Sequence, residues 1–243
     1  DTVVTTPFSF VATANAARFA GADVVFADVD PETLNLDPVS VRRTIERRNG
    51  DVDAILPVHL YGLPAEMDAL ETIADEYDAA LVEDAAEALG ATNGADPVGT
   101  VGDSAALSFC QNKIVATGEG GAVVTDDADV AHAVRLFRSH GRTSDAYFES
   151  PGSGEYGALG ANFRMPDVVA AIGCAQMEKI DDLIDGRRAA AGRLTDALAG
   201  VPEVTTPTSP HGRHVYQLYT VTLEASVDRA ALVDGRFERD RVQ

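Results

Sequence analysis

Short apolar runs alternate with helix-length amphipathic stretches over the first two thirds of the chain, which predicts an α/β domain of strands and crossover helices. Runs such as AILPV and AALV are apolar throughout, as in parallel strands buried on both faces. The predicted strands are residues 3–5, 24–27, 54–58, 80–82, 105–109 and 122–125. A 3.6-residue spacing predicts helices over residues 13–19, 39–47, 65–77 and 128–139. We therefore expect a mostly parallel sheet flanked by helices.

The rest of the chain predicts a second, smaller unit. Residues 144–160 are rich in Gly, Ser and Tyr without a period, which indicates a functional loop or an excursion rather than regular structure. A helix is predicted after Pro166, a long connecting helix over residues 183–198, and a strand over residues 215–223, where VYQLYTVTL alternates. The final segment, DGRFERDRVQ, carries no predicted element. We expect a large domain over residues 1–182, then the connecting helix and the start of a small α+β domain over residues 183–243.

The chain is strongly acidic, with 19 Lys and Arg against 39 Asp and Glu among 243 residues, and a net charge of −20. Such a surface repels phosphate backbones, which argues against nonspecific binding of nucleic acid or anionic membranes. No apolar stretch reaches the ~18 residues of a spanning helix and no signal-peptide pattern is seen, so we expect a cytoplasmic protein. Cys110 and Cys174 form no metal-type pair with His, and both are predicted to be reduced core residues.

Lysine is scarce, since only Lys113 and Lys179 occur, and this acidic, lysine-poor composition resembles that of proteins from extreme halophiles. Lys113 follows a predicted strand and precedes Gly118, Gly120 and Gly121, which lead into the next strand. A lysine in a tight connection between buried strands is partly desolvated, which frees its amine for Schiff-base formation. The alternative is a solvated loop lysine.

Two further places carry candidate chemistry. The segment LVEDAAEALGA ends a predicted strand in Glu83 and Asp84, and ligands of α/β sheets bind beyond the carboxyl ends of strands. An Asp that caps the next helix is the alternative. In the turn NFRMPD, Asn162 and Arg164 are able to reach an anion. An ion pair between Arg164 and its neighbour Asp167 is an equally good interpretation of the arginine. An apolar face on the following helix indicates core or subunit packing by Val168, Val169, Ile172 and Ala175.

A strand-end acid, a Gly-flanked lysine and anion-binding turns are together the parts that pyridoxal phosphate needs. A carboxylate keeps the pyridine nitrogen protonated, the lysine forms the Schiff base, and hydroxyl and backbone donors hold the phosphate. Each part is weak evidence alone, and their order along the chain is more informative.

Longer motifs resemble the nucleotide-sugar aminotransferases of the DegT/DnrJ/EryC1/StrS family. They are PFSFVATANAARFAGADVVFADVDPETLNLDP, PVHLYGLPAEMDAL, VEDAAEALGA, GDSAALSFCQNKIVATGEGGAVVTDD, and NFRMPD followed by AAIGCAQMEKID. The resemblance covers residues 1 to about 200. It implies the large domain of type I pyridoxal-phosphate transferases and a homodimer with a shared active site.

The resemblance also implies residue roles. Lys113 would bind the cofactor's aldehyde as a Schiff base and then move the proton between substrate and cofactor carbons. Asp84 would pair with the pyridinium nitrogen, and Ser108 would bind the phosphate. Phe10 would lie against the pyridine ring as an aromatic plate, and Asn162 would reach a phosphate across the dimer interface.

Some positions depart from that pattern. Glu87 stands where the family commonly has Gln or His in contact with the cofactor's ring oxygen, and an anionic Glu would repel that oxygen unless it is protonated or turned away. His59 and His140 lie in the family-like motifs PVHLYG and RSHG, although lone histidines are more often structural. The chain opens at the strand before PFSF, without the family's phosphate-binding Gly-Thr turn, and the small domain stops early. Either the chain is a fragment or partial gene product, or the missing pieces come from elsewhere, which puts its cofactor affinity and activity in question.

The implied activity is transfer of an amino group, with glutamate as the expected donor, to a nucleotide-linked keto-sugar for cell-surface or secondary-metabolite glycans. A sugar dehydratase of the same family is disfavoured, because those members carry His in place of the lysine and Lys113 is present. A truncated, non-catalytic relic or interaction module is the alternative from another class. A Rossmann dehydrogenase is excluded because no G-x-G-x-x-G follows the early strands.

Overall fold

The computed structural model describes residues 1–143 and 154–233. Its strands are β1 (Thr2–Thr5), β2 (Asp23–Phe26), β3 (Ala54–Ile55), β4 (Ala80–Asp84), β5 (Thr92–Asn93), β6 (Asp96–Pro97), β7 (Ser104–Ser108), β8 (Gly121–Val124), β9 (Val204–Thr205), β10 (Gly212–Arg213) and β11 (Thr222–Leu223). Its helices are α1 (Ala12–Phe19), α2 (Pro38–Glu46), α3 (Met67–Tyr77), α4 (Ala128–Phe137), α5 (Asp167–Met177), α6 (Ile180–Leu198) and α7 (Arg229–Val233), with a short 3-10 turn at Leu60–Gly62.

A six-stranded sheet in the order β2-β1-β3-β4-β7-β8 forms the centre of the fold. Five of its strands run parallel, because α1, α2 and α3 carry the chain back between β1, β2, β3 and β4. The connection from β7 to β8 holds no helix, and β8 returns antiparallel to β7. The predicted α/β class with a mostly parallel sheet is confirmed, whereas the antiparallel direction of the last strand is not visible in its composition.

Apolar side chains from the sheet and from α2 and α3 form the larger hydrophobic cluster. Strands contribute Val4, Ile55 and Leu81, and helices contribute, among others, Val41 and Leu70, each at most 3% exposed. Burial of side chains of this size stabilises the fold by roughly 1.5–3 kcal/mol each. The sheet is therefore a firm base for the loops at its carboxyl edge.

The predicted strand over residues 215–223 is wrong for residues 215–221. Only Thr222–Leu223 forms a strand, paired with Val204–Thr205. The residues before it instead lie against α6 and the 3-10 turn. Arginine side chains of α6 donate hydrogen bonds to their backbone carbonyls, so these groups are not free to pair with another strand. Alternation here reflects a segment buried between two elements rather than a sheet.

The division into residues 1–182 and 183–243 stays a prediction. A second hydrophobic cluster contains Ile184 and Val215 together with Ala85, Ala88 and Ala91, so both predicted units contribute to one core. Most of the predicted loop over residues 144–160, and the final segment DGRFERDRVQ, lie outside the described residues.

The helices α4 and α5 bury none of their residues. Val168 is 75% exposed and Ile172 is 44% exposed, so the apolar face of α5 is not core in this chain. Cys110 is half-buried and Cys174 is exposed, which makes the prediction of two core cysteines wrong, although both are free. Over the described ranges, none of the helices has both the length and the apolar character to cross a bilayer.

Candidate active site

The candidate site lies at the carboxyl edge of the sheet, where β1, β3, β4 and β7 end side by side. Because parallel strands end on the same edge, the loops that follow them meet there. These loops carry Phe10 after β1, Tyr61 after β3, Glu87 after β4 and Lys113 after β7. In the pairing of β4 with β7, Asp84 is opposite Ala106, so Ser108 lies two residues further along the adjacent strand.

The side chain of Glu83 points away from the candidate site, to the opposite face of β4, where it anchors the end of the strand. Its fully buried carboxylate accepts from His59 Nε2 at 2.8 Å and from the N–H groups of Gly99, Val101 and Gly102 at 2.7–2.9 Å. His59 Nδ1 accepts from the Ala65 N–H at 3.0 Å, so the histidine carries its proton on Nε2 and is structural.

The pKa of Glu83 reflects this environment. Burial raises the pKa of the carboxyl, but the bonds from His59, Gly102 and Gly99 together lower it below its ordinary value. Glu83 is therefore an ionised anchor that fixes β4. Because successive strand residues point to opposite faces, the anchor directs Asp84 the other way.

Asp84 is half-buried at the last position of β4. Its Oδ2 accepts from the Thr13 hydroxyl at 2.7 Å, and its Oδ1 accepts from the Ala86 N–H at 3.2 Å. The Thr13 hydroxyl also lies 2.8 Å from the Ser9 hydroxyl, in the loop that carries Phe10. Asp84 is thus held by α1 and does not act as a helix cap.

Lys113 and Glu87 form a largely shielded ion pair. Lys113 Nζ lies 3.2 Å from Glu87 Oε1, and the two side chains are 15% and 21% exposed. The other oxygen of Glu87 accepts from the Tyr61 N–H at 2.8 Å. The interpretation of Lys113 as a solvated loop lysine is wrong, because its amine is held in the cluster that follows β4.

Tyr61 presents that N–H from an unusual backbone conformation, with φ 59° and ψ 9°. The left-handed region is costly for a residue with a side chain, and such strain persists only where neighbours fix it. Burial raises the pKa of the Tyr61 phenol, and the negative charge of Glu87 raises it further. The sequence motif PVHLYG carried no signal for this role.

The three remaining predicted residues are Ser108, Phe10 and Asn162, and no hydrogen bond of the described residues joins them to Lys113 or Glu87. Ser108 ends β7 and its Oγ accepts from the Cys110 N–H at 3.3 Å. Phe10 is 79% exposed. Asn162 is exposed, and its Oδ1 accepts from the Arg164 N–H at 3.4 Å. Among the described residues, Arg164 binds the Ser139 hydroxyl at 3.2 Å and forms no ion pair with Asp167.

Besides Tyr61, two contributors were missed by sequence reasoning. Thr13 orients Asp84, and Gln217, from the C-terminal part of the chain, donates from Nε2 to the Asn112 carbonyl at 2.5 Å. Each forms a hydrogen bond to a residue far away in the sequence, and the residue type alone does not predict such a contact. The prediction of the acid and the lysine rests on their places beside strand ends and glycines.

The donor set fits pyridoxal phosphate. Lys113 supplies a shielded primary amine for an aldehyde, and Asp84 supplies a carboxylate, fixed by two hydrogen bonds, for a protonated ring nitrogen. Ser108 Oγ accepts a bond from the backbone, so within the described part of the chain its own hydrogen remains available for a phosphate oxygen. Those are the three kinds of group that the cofactor requires.

Comparison with known proteins shows the family to which the chain belongs. The model of the DegT/DnrJ/EryC1/StrS aminotransferase family matches residues 1–243. The chain is 38% identical to GDP-perosamine synthase of Caulobacter vibrioides, over 92% of this chain and 58% of that protein. It is 35% identical to UDP-N-acetyl-3-dehydro-alpha-D-glucosamine 3-aminotransferase of Acidithiobacillus ferrooxidans, over 93% of this chain and 58% of that protein. The chain therefore spans under two thirds of the length of these curated relatives.

A solved structure shows the same fold. E. coli GDP-4-keto-6-deoxy-D-mannose-3-dehydratase with bound hydrated PLP superimposes with a TM-score of 0.87 at 28% identity, covering 96% of this chain and 62% of that one. The predicted resemblance and fold class are both confirmed.

Proposed function

The chain belongs to the DegT/DnrJ/EryC1/StrS aminotransferase family, and on that premise we propose that it takes part in pyridoxal-phosphate-dependent transfer of an amino group to a nucleotide-linked keto-sugar. The observation that carries the proposal is the shielded amine of Lys113, held on Glu87 beside the carboxyl end of the strand that carries Asp84. Relatives named as a perosamine synthase and a UDP-sugar aminotransferase support the substrate class.

The residues of this chain would hold the cofactor by simple complementarity. Lys113 would bind the aldehyde carbon, Asp84 would accept from the ring N–H, and Ser108 would donate to the phosphate, while Phe10 would offer its exposed ring for stacking. When bound, the cofactor supplies an electron-accepting ring that stabilises negative charge on the substrate carbon. Thr13 and Ala86 keep the Asp84 carboxylate oriented for this contact.

Lys113 has a second task in the proposed reaction. In that reaction its free amino group would be the base that moves a proton between the substrate carbon and the cofactor carbon. A base for this step must be shielded from water, and the Lys113 side chain is only 15% exposed. Its amine would have to leave the contact with Glu87 and give up a proton before it could act. The amino donor proposed is glutamate, as the resemblance implies.

We also propose that two copies of the chain assemble, with Asn162 at the interface. Large apolar side chains are exposed in the chain on both sides of Asn162: Leu159 is 92%, Phe163 is 65% and Val168 is 75% exposed. Large apolar side chains gathered on a surface mark an interaction site. A second copy covering this surface would bring the partner's Asn162 to the shared site, as the family resemblance implies.

Cofactor capture by the purified chain tests the proposed function. With pyridoxal phosphate in high salt, the chain should develop the absorbance of bound cofactor, and borohydride should fix the label on Lys113. Lys113→Ala should lose the label. The control is Lys179→Ala, since Lys179 is exposed and is the only other lysine of the sequence. Equal labelling of Lys113→Ala and the unmodified chain would refute the assignment, and no uptake by the unmodified chain would favour a non-catalytic protein.

A further inference from the structure

Segment 214–218 of the C-terminal part lies against the loop that holds Glu87. The Val215 N–H donates to the Gly62 carbonyl at 3.0 Å, and the Leu218 N–H donates to the Tyr61 carbonyl at 3.3 Å. A Cβ added at Gly62 would lie 2.8 Å from Val215 Cγ2. Because the Tyr61 N–H binds Glu87, segment 214–218 supports the carboxylate side of the Lys113–Glu87 pair.

Gln217, in the same segment, reaches the lysine side of that pair. Its side chain is 5% exposed, and its Nε2 donates to the carbonyl of Asn112, the residue directly before Lys113, at 2.5 Å. Since a carbonyl only accepts, this bond fixes the orientation of the amide. It leaves Oε1 buried, with no hydrogen-bond partner among the described residues. An unpaired buried oxygen is unfavourable. The bond from Nε2 to the Asn112 carbonyl is therefore the contact that holds this amide in its buried position.

The backbone of segment 214–218 is itself fixed by α6. Arg187 donates to the carbonyls of Tyr216 and Gln217 at 3.1 Å each, and Arg188 donates to the His214 carbonyl at 2.7 Å. These charge-assisted bonds tie the segment to a 19-residue helix. Gln217 therefore extends from a rigid support toward the lysine loop.

We propose that Gln217 is a positioning residue for Lys113. By holding the Asn112 carbonyl, it fixes the lysine loop so that Lys113 Nζ stays on Glu87 and remains shielded from water. The effect of Gln217 on catalysis rests on the proposed function, whereas its effect on the position of Lys113 does not. Loss of the bond should release the amine toward solvent even in cofactor-free protein.

The test compares how fast the two lysines are acylated in the cofactor-free chain. A limiting amount of an N-hydroxysuccinimide ester is added in high salt, and mass spectrometry measures label on Lys113 relative to the exposed Lys179. In Gln217→Leu this ratio should rise about five-fold, the effect of one lost hydrogen bond. Gln217→Asn keeps the amide but is one methylene too short to reach Asn112, and should raise the ratio similarly.

Tyr219→Phe is the matched control, because it removes a bond of 2.8 Å between the Tyr219 and Thr195 hydroxyls, just beyond the same segment, without touching the lysine loop. Its ratio should equal that of the unmodified chain. An unchanged ratio in both Gln217 variants, or an equal rise in Tyr219→Phe, would overturn the proposal. If circular dichroism shows that Gln217→Leu fails to fold, Gln217→Asn decides. Failure of the proposed function is a separate result, namely the absence of a borohydride-fixed label on Lys113 in the unmodified chain.

Discussion

Replacing Glu83 by Gln removes one negative charge from the anchor behind the site, and its cost can be worked out from the contacts. The carboxylate accepts two bonds on Oε2, from His59 and Gly99, and two on Oε1, from Val101 and Gly102. An amide keeps one oxygen, so two of the four donors would face an NH₂ group. Because Ala65 already donates to His59 Nδ1, the histidine cannot become an acceptor on Nε2.

All four buried donors therefore lose a charged acceptor and two of them lose their acceptor altogether, so we expect Glu83→Gln to lower the free energy of unfolding by about 2–4 kcal/mol. Urea unfolding followed by circular dichroism at pH 7, in constant high salt, measures it. The control is Glu76→Gln, which breaks a partly exposed pair with Arg42 and should leave the free energy of unfolding nearly unchanged. A Glu83→Gln chain as stable as this control would refute the reasoning.

The pH dependence gives the same prediction an independent check. The pKa of Glu83 is lowered in the fold from its ordinary value of 4.5. Its contribution to stability is therefore fully present above pH 4.5 and is lost as the pH falls through the lower pKa of the folded state. The difference between the unmodified chain and Glu83→Gln should accordingly shrink below pH 4.5. A difference that grows on acidification would contradict an ionised anchor.

Three further perturbations test the site and the interface. Gly62 has φ 91°, and the Cβ added by Gly62→Ala would lie 2.8 Å from Val215 Cγ2. The substitution should therefore lower the free energy of unfolding in urea by about 2–4 kcal/mol, and an unchanged midpoint would contradict the close approach. Glu87→Gln removes the anion that competes for Lys113, and should tighten pyridoxal phosphate binding about five-fold in an absorbance titration, whereas weaker binding would oppose this. Val168→Asp should weaken self-association roughly 100-fold by light scattering in high salt, and an intact dimer would place the interface elsewhere.

The parallel core of the fold could be predicted because its signal is local. The run from Ala80–Asp84 is apolar until its last two residues, and α2 begins where Asp37 accepts from the Val39 and Ser40 N–H groups, just before Pro38. The C-terminal part could not be predicted in the same way. Alternation over residues 215–221 is a local pattern too, but the deciding contacts come from Arg187 and Arg188 in a distant helix.

The site was predictable only as a set of residue types. Glu83 and Asp84 are neighbours with the same chemistry, and adjacent strand residues point to opposite faces, so only one of them can serve the carboxyl edge. The sequence does not decide which face is buried against His59 and the Gly99 N–H. That decision belongs to tertiary packing, as does the bond from Thr13 that orients Asp84.

Glu87, the departure from the family pattern, is explained by its two partners. Tyr61 N–H and Lys113 Nζ are both donors, and they approach different oxygens of the carboxylate. A Gln would satisfy one donor and present its NH₂ group to the other, whereas Glu satisfies both. The carboxylate is thus directed at the lysine and the tyrosine backbone, which favours the orientation in which it is turned away from a cofactor oxygen. In an acidic chain with two lysines, this pairing holds the Lys113 amine on Glu87, and under the proposed function an aldehyde would have to compete with Glu87 for it.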